Sequence, residues 1–391
     1  MKQGKSVTDL YSELKRVATA KKDYGAPVHH ITVAEGKSMD LDGIGTFDIS
    51  DVAHGQMAQY TGIGKRFYDA LLGHREGWRT PVAVSNDVQY ALEPASINRH
   101  GVITQDAPVR VSDITGVVGP PLYDVTVNTI LHAMPIGEKR LVRTLDGNVR
   151  AFLSDSYSTE IDNYDVANVA FQAMAQLGLD EDDIQSCDVT DKYLHIKIST
   201  PKLQARVVGD LVQFGFYLRT SEVGLAGLDI SSFNMNLACL NGMVGESVFK
   251  RRHVGKQLEF DDDGVVYLSD TRQADARARL LKMRDNITTA LDEHRVRLLA
   301  DKMNEKADIK ISPQLDKVME VTRKRFLLHD DEANETLAHF VHGKNWSLWG
   351  LSNAITRTAQ DRRSYDRASE LEATGFRLLM GSKAELEGIA V

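Results

Sequence analysis

The sequence predicts an α+β protein in which a central antiparallel β-sheet, carrying a β-hairpin and a packed helix, is followed by a mostly helical C-terminal region. Three observations lead there. Of the 29 glycines, 24 lie at or before Gly264, as do eight of the nine prolines. From 265 to 342 only Pro313 interrupts the chain. Late in the turn-rich part, three runs alternate in the manner of strands: "YLHIKIS", "LVQFGFYLRTS" and "FNMNLACL", the last ending at Asn241-Gly242. Turn-rich sequence followed by a long breaker-poor stretch is the pattern of a β-containing body with appended helices. At 391 residues the chain is long enough for two or three domains. The composition shifts divide it into an N-terminal α/β region (1–120), a central β-rich core (121–270) and a helical C-terminal region (271–391).

In chain order, Ser6 to Lys22 reads as a helix with Val7, Leu10, Leu14 and Val17 on one face, and 50–72 reads as helix broken at "TGIGKR". Short strand-like runs occupy 82–133. The segment 139–153 is a hairpin: Asp146-Gly147 suits a two-residue type I′ turn. Counting outward from that turn places Arg143 opposite Arg150, with Leu141, Phe152, Leu145 and Asn148 on their face and Val142, Thr144, Val149 and Ala151 on the other. Like charges directly opposed across strands destabilise, so either the register is shifted or an anion sits between the two arginines, whether a ligand's or an acidic side chain such as Asp155 or Glu160. Asp162 then caps a helix carrying Val166, Val169, Ala170 and Met174. An acidic loop follows at 180–183. Far downstream, 273–306 reads as one helix with Leu280, Met283, Ile287, Leu291, His294 and Leu298 on a single face. At 1.5 Å per residue it would be about 50 Å long, a length that suits packing along the body or against a second subunit.

Function is bounded first by charge. A net charge of −8 argues against a wholly basic surface, so a polyanion would have to find its positive charge locally. Two cysteines, Cys187 and Cys239, fit a reducing compartment rather than a disulfide framework. Neither an apolar leader core nor a run of about 18 apolar residues occurs, so a cytoplasmic protein with no membrane partner is expected. "GIGTF" and "TGIGKR" lack the full phosphate-loop patterns, and His29-His30 has no second ligand pair at metal spacing. No cofactor and no bound metal are expected. Asp155, Glu160, Asp162 and Asp165 form the densest carboxylate cluster that also carries Ser, Tyr and Asn, and a metal-dependent nuclease could use them; more simply, they suit a polar turn followed by a helix N-terminus.

Positive charge is more informative. Arg140, Arg143 and Arg150 lie on the hairpin, Arg219 ends a strand candidate, and "KRRHVGK" supplies Lys250, Arg251, Arg252 and Lys256. Arginines at strand and turn positions can grip phosphate oxygens with two hydrogen bonds. Phe152, Phe214, Phe216, Tyr217 and Phe249 lie in or beside the same strands and could stack on bases. These eight basic residues are the candidate nucleic-acid-binding set.

The stretches "KRLVRTLDGNVRAFLSDSYSTEIDNYDV", "RTSEVGLAGLDI", "NLACLNGM" and "RRHVGK", together with "LYSELKRVATAKKDY" near one end and "NWSLWGLSNAIT" near the other, resemble successive motifs of a family of phage and plasmid proteins that carry a domain of unknown function. In element order, hairpin then helix then antiparallel strands, the middle of the chain is also similar to the core of phage single-strand annealing recombinases. The resemblance implies a protein of mobile elements, acting in the host cytoplasm. It leads to the expectation of a single-stranded DNA-binding or annealing protein that supports recombination or replication as a homo-oligomer, with no catalysis required. The alternatives are a metal-dependent nuclease and a non-enzymatic protein that acts on a host factor.

Overall fold

A computed structural model describes residues 4–80, 119–157, 160–251 and 269–390. The expected α+β class is what forms, as two units: residues 20–155, and residues 1–19 together with 156–391.

The 1–19 and 156–391 unit begins with α1 (Val7–Ala20), as its apolar spacing foretold. In the 20–155 unit the elements are β1 (Lys22–Pro27), β2 (Ile31–Ala34), β3 (Ser38–Leu41), β4 (Gly45–Ile49), α2 (Asp51–Thr61), α3 (Lys65–Gly73), α4 (Leu122–His132), β5 (Lys139–Leu145) and β6 (Asn148–Ser154). The strands form one sheet in the order β1-β5-β6-β4-β3-β2. Thus the hairpin β5–β6 pairs with N-terminal strands instead of the alternating strands that follow it. Residues 122–132, expected as strand, are the helix α4; its Tyr123, Val127 and Leu131, on one helical face, join Met57, Tyr68 and Leu71 over Val33, Met39, Val142 and Phe152.

The Asp146-Gly147 turn is present, both residues having positive φ (50° and 81°), as a type I′ turn needs. The register beyond it differs from the simple count. Thr144 pairs with Val149, but Arg143 pairs with Ala151, so Arg150 is an extra bulged residue and does not oppose Arg143. The bulge lets Val149 and Phe152, three apart in sequence, face the same helices. Arg143 meets its anion in β1: Asp23 is its direct cross-strand neighbour and accepts hydrogen bonds from Nε and Nη2, both at 2.7 Å.

Under α2–α4, the hydroxyls of Tyr68 and Tyr123 lie 2.5 Å apart and each is 3.2 Å from His54 Nδ1. Burial pulls the His54 imidazolium down to about 4. The folded state therefore resists a proton that the unfolded chain accepts near pH 6.5, and this contribution, complete above that pH, is lost as acid is added. By pH 5 the loss is about 2 kcal/mol. Thermal melts at pH 7.5 and pH 5 should show it, and His54→Gln should flatten the difference by that amount; an unchanged difference would contradict the assignment.

After α1, the second unit continues with α5 (Asn163–Gln176), β7 (Ile184–Val189), β8 (Leu194–Val207), β9 (Asp210–Thr220), β10 (Leu228–Asn236), β11 (Asn241–Arg251), α6 (Ser269–Ala290), α7 (Glu293–Ala307), α8 (Leu315–Phe326), α9 (Asp330–Gly343), α10 (Leu348–Gln360), α11 (Tyr365–Leu379) and a last turn, α12 (Lys383–Leu386). The strands form an antiparallel meander, β11-β10-β9-β8-β7. One face packs Ile196, Ile198, Phe216, Leu218 and Ile230 against α1, α5 and α6. A second core joins Val207, Val212, Phe214 and Met243 to α7–α11. The single helix expected over 273–306 is broken between α6 and α7, where Asp292 caps α7 by accepting from the Arg295 N–H at 3.0 Å. The break is where the chain changes cores, since Met283 and Ile287 of α6 serve the first and Val296, Ala300 and Met303 of α7 the second. Leu298, expected on the buried stripe, is half exposed. Among the described residues no helix is long and apolar enough to cross a membrane.

Candidate functional site

Alternation places apolar side chains on one face of the meander and polar ones on the other. The strand register aligns the polar ones into rows running across all five strands. One row is Asp188, His195, Arg219, Asp229 and Lys250; the next is Ser186, Lys197, Tyr217, Ser231 and Ser247. Helix α11 supplies Tyr365, Asp366, Ser369 and Glu372 to this part of the fold. His195 places Nδ1 2.6 Å from the Tyr217 hydroxyl and Nε2 2.8 Å from Asp366 Oδ1. Burial keeps this imidazole neutral against the pull of Asp366, so Nε2–H donates to the carboxylate and Nδ1 accepts from the tyrosine. Burial pushes Asp366 up, but hydrogen bonds from His195 and Thr190 outweigh it and hold the carboxyl below its ordinary range. Beside them Lys197 and Glu372, both fully buried, form an ion pair at 2.6 Å, and burial pulls the lysine down. Tyr365 hydrogen-bonds Ser186 at 2.6 Å, and its ring centre lies 4.6 Å from the Lys197 ammonium.

The charges of this layer are paired with one another, although Lys197 Nζ and both Glu372 oxygens make no hydrogen bond of good geometry. Alongside lies a pocket of ≈ 370 Å³ whose lining includes Arg219, Asp229, Ser231, Ser247, Glu370 and Arg377. Arg219 rests over the Tyr193 ring, 5.4 Å from its centre. Its buried Nε has no hydrogen-bond partner. Arg377 lies 5.0 Å from the centre of the Phe326 ring. Among the described residues neither guanidinium has an acidic partner within ion-pair distance. Asp229 opposes Arg219 directly across β9 and β10, yet its Oδ1 accepts from the hydroxyls of Ser231 and Ser247, at 2.8 and 2.9 Å. Glu370 is engaged by Arg367 at 2.7 Å. Two arginines thus face a pocket whose own carboxylates are turned to other groups.

Of the expected basic residues, Arg219 and Lys250 are brought into one row, with Lys250 exposed at the sheet edge. Arg251 ends β11, and Arg252 and Lys256 lie outside the described residues. The hairpin arginines belong to the other unit. There Arg143 is 1% exposed and committed to Asp23, so it is not a surface contact. Arg140 stacks on Tyr60 and Phe152, 4.5 and 5.3 Å from their ring centres, and burial lowers its pKa. Arg150 is half buried at the bulge. The aromatics expected to stack on bases do not present themselves: Phe152, Phe214, Phe216 and Tyr217 are buried, and Phe249 is half buried against the apolar core. Asp229, Ser231, Ser247 and Arg377 escaped sequence reasoning. Alternation in "LDIS" was the available signal for the first two; nothing local marks Arg377.

Two of the four clustered carboxylates, Asp162 and Asp165, serve a helix N-terminus. Asp162 is the N-cap of α5, and its N–H donates to Asp165 Oδ2 at 3.0 Å. Among the described residues no group of three or more His, Cys, Asp or Glu side chains could hold a metal ion. Compared with protein-family models, with curated proteins and with solved structures, the chain finds no match in any of the three.

Proposed function

We propose that the protein binds single-stranded DNA and supports strand annealing in recombination or replication, with the pocket beside α11 as a point of contact. The observation that carries this reading is the pair of guanidiniums, Arg219 and Arg377, that open on one pocket without acidic partners. Arg219 is only partly exposed and its Nε is buried without a partner, a placement that is unfavourable until an anion joins it; Arg377 is an exposed cation on the same pocket, and arginine's fork suits phosphate oxygens. Lys250 adds an exposed cation in the same row at the sheet edge. On a chain of net charge −8 a local site of this kind is what polyanion binding requires. The resemblance to phage and plasmid proteins supports the setting, and bringing two strands together favours several copies acting as a homo-oligomer.

Fluorescence anisotropy with a labelled single-stranded 20-mer across a salt series tests it. Affinity should fall steeply with salt, and Arg377→Gln should reduce the slope of log K against log salt by about 0.7, the value for one phosphate contact on a single strand. No binding at low salt would refute the reading. Metal-dependent cleavage of the oligonucleotide would move the assignment to a nuclease.

A further inference from the structure

Arg219 and Asp229 are direct neighbours across β9 and β10, a placement that brings Cβ atoms to about 5 Å. Opposite charges so placed ordinarily close on each other. Here they do not. Asp229 is held by two serine hydroxyls through Oδ1, and among the described residues no hydrogen bond engages its Oδ2, so this pocket-lining carboxylate keeps an acceptor to offer. Arg219 is held by Tyr193 beneath its guanidinium, with its Nε buried and unsatisfied. Both line the same pocket. The result is a fixed donor beside a fixed acceptor, each oriented by a neighbour that does not neutralise it.

A phosphate satisfies only half of this arrangement. It would accept from Arg219 but would be repelled by Asp229. A ligand that meets both must carry a hydrogen-bond acceptor immediately beside an N–H donor, which is the character of a nucleobase edge. In guanine the carbonyl O6 adjoins N1–H; in cytosine the ring N3 adjoins the amino group. We infer that this pocket reads the Watson–Crick edge of an unpaired nucleobase, with Arg219 donating to its carbonyl or ring nitrogen and Asp229 Oδ2 accepting from its N–H. The inference rests on the single-stranded DNA reading and deepens it. Such edges are free only in single strands, where proteins splay bases out and bond them there. Pairing with a complementary strand withdraws the edge from the pocket, so the same contact that selects single strands releases the duplex. Arg377, on α11, is left for the backbone phosphate, and the volume of ≈ 370 Å³ falls within the range of small-ligand sites.

The sign of one substitution separates the two chemistries. Asp229→Asn keeps an oxygen to accept from Ser231 and Ser247 while removing the charge and replacing an acceptor by a donor. If the pocket holds only phosphate, losing the negative charge tightens binding. If it reads a base edge, affinity for a mixed-sequence 20-mer falls about tenfold, the order of discrimination that one matched base contact supplies. A second measurement needs no variant: an abasic 20-mer with the same backbone should bind the wild-type protein about tenfold more weakly than the base-bearing one, and Asp229→Asn should narrow that gap. Tighter binding by Asp229→Asn, or equal wild-type affinity for the two oligonucleotides, overturns the inference while leaving DNA binding intact. Absence of wild-type binding to either one refutes the underlying function instead.

Discussion

Glu372→Gln lowers the stability of the protein by about 3–5 kcal/mol, because it strands the Lys197 charge in the interior. Both side chains are fully buried and lie 2.6 Å apart, and neither has another hydrogen-bond partner. The ammonium sits 4.6 and 5.6 Å from the ring centres of Tyr365 and Tyr217, so it gains some attraction from two π faces, but nothing there replaces a carboxylate. Lys197→Met should be comparably damaging, since it leaves Glu372 as the uncompensated charge. The double substitution Lys197→Met with Glu372→Leu removes both desolvation penalties and should recover most of the loss, as replacement of buried ion pairs by apolar groups of similar size generally does. Denaturant titration of wild type, Glu372→Leu, Lys197→Met and the double variant forms a double-mutant cycle. A Glu372→Gln loss below about 1 kcal/mol would mean that water or rearrangement reaches the pair and that the polar layer is wetter than its burial indicates.

That layer also marks the limit of what the sequence discloses. The alternation of "LHIKIS" correctly assigns Leu194, Ile196 and Ile198 to an apolar face. It would equally assign His195 and Lys197 to solvent, by the usual rule for antiparallel sheets, yet both are buried. Their partners, Asp366 and Glu372, lie some 170 residues away on α11, and no local pattern predicts which helix will cover which face. The same holds for the pocket: Arg219 was recognisable as an arginine ending a strand, whereas Arg377 joins it only through the fold. Capping was more legible. Asp162 and Asp292 are both acidic residues ahead of helices, and the second, given due weight, would have split the long C-terminal helix where the structure does. Turn type and strand register separated as well. Asp146-Gly147 specifies its turn through backbone conformation, a local property, while the bulge at Arg150 depends on which residues α2–α4 need beneath them.

Arg143→Met should lower stability by about 3 kcal/mol and leave DNA affinity unchanged, the opposite of what the symmetric hairpin register implied. In that register two arginines oppose one another and their removal relieves repulsion. In the folded protein Arg143 is 1% exposed, and its two hydrogen bonds of 2.7 Å run to Asp23, so the substitution leaves a carboxylate that is only one-fifth exposed without its donors. Hydrogen bonds to charged groups contribute about 1.5–3 kcal/mol each at the upper end, and two parallel ones add geometric specificity. Arg143→Lys keeps the charge and loses the fork; its effect should fall between wild type and Arg143→Met. Adding Asp23→Ala to Arg143→Met should restore part of the stability, since the stranded acid is then removed. Melting temperature and anisotropy measured on the same preparations decide the matter: a lost DNA affinity with an unmoved melting temperature would show that Arg143 leaves Asp23 for a phosphate, and the hairpin would then rejoin the DNA-binding surface.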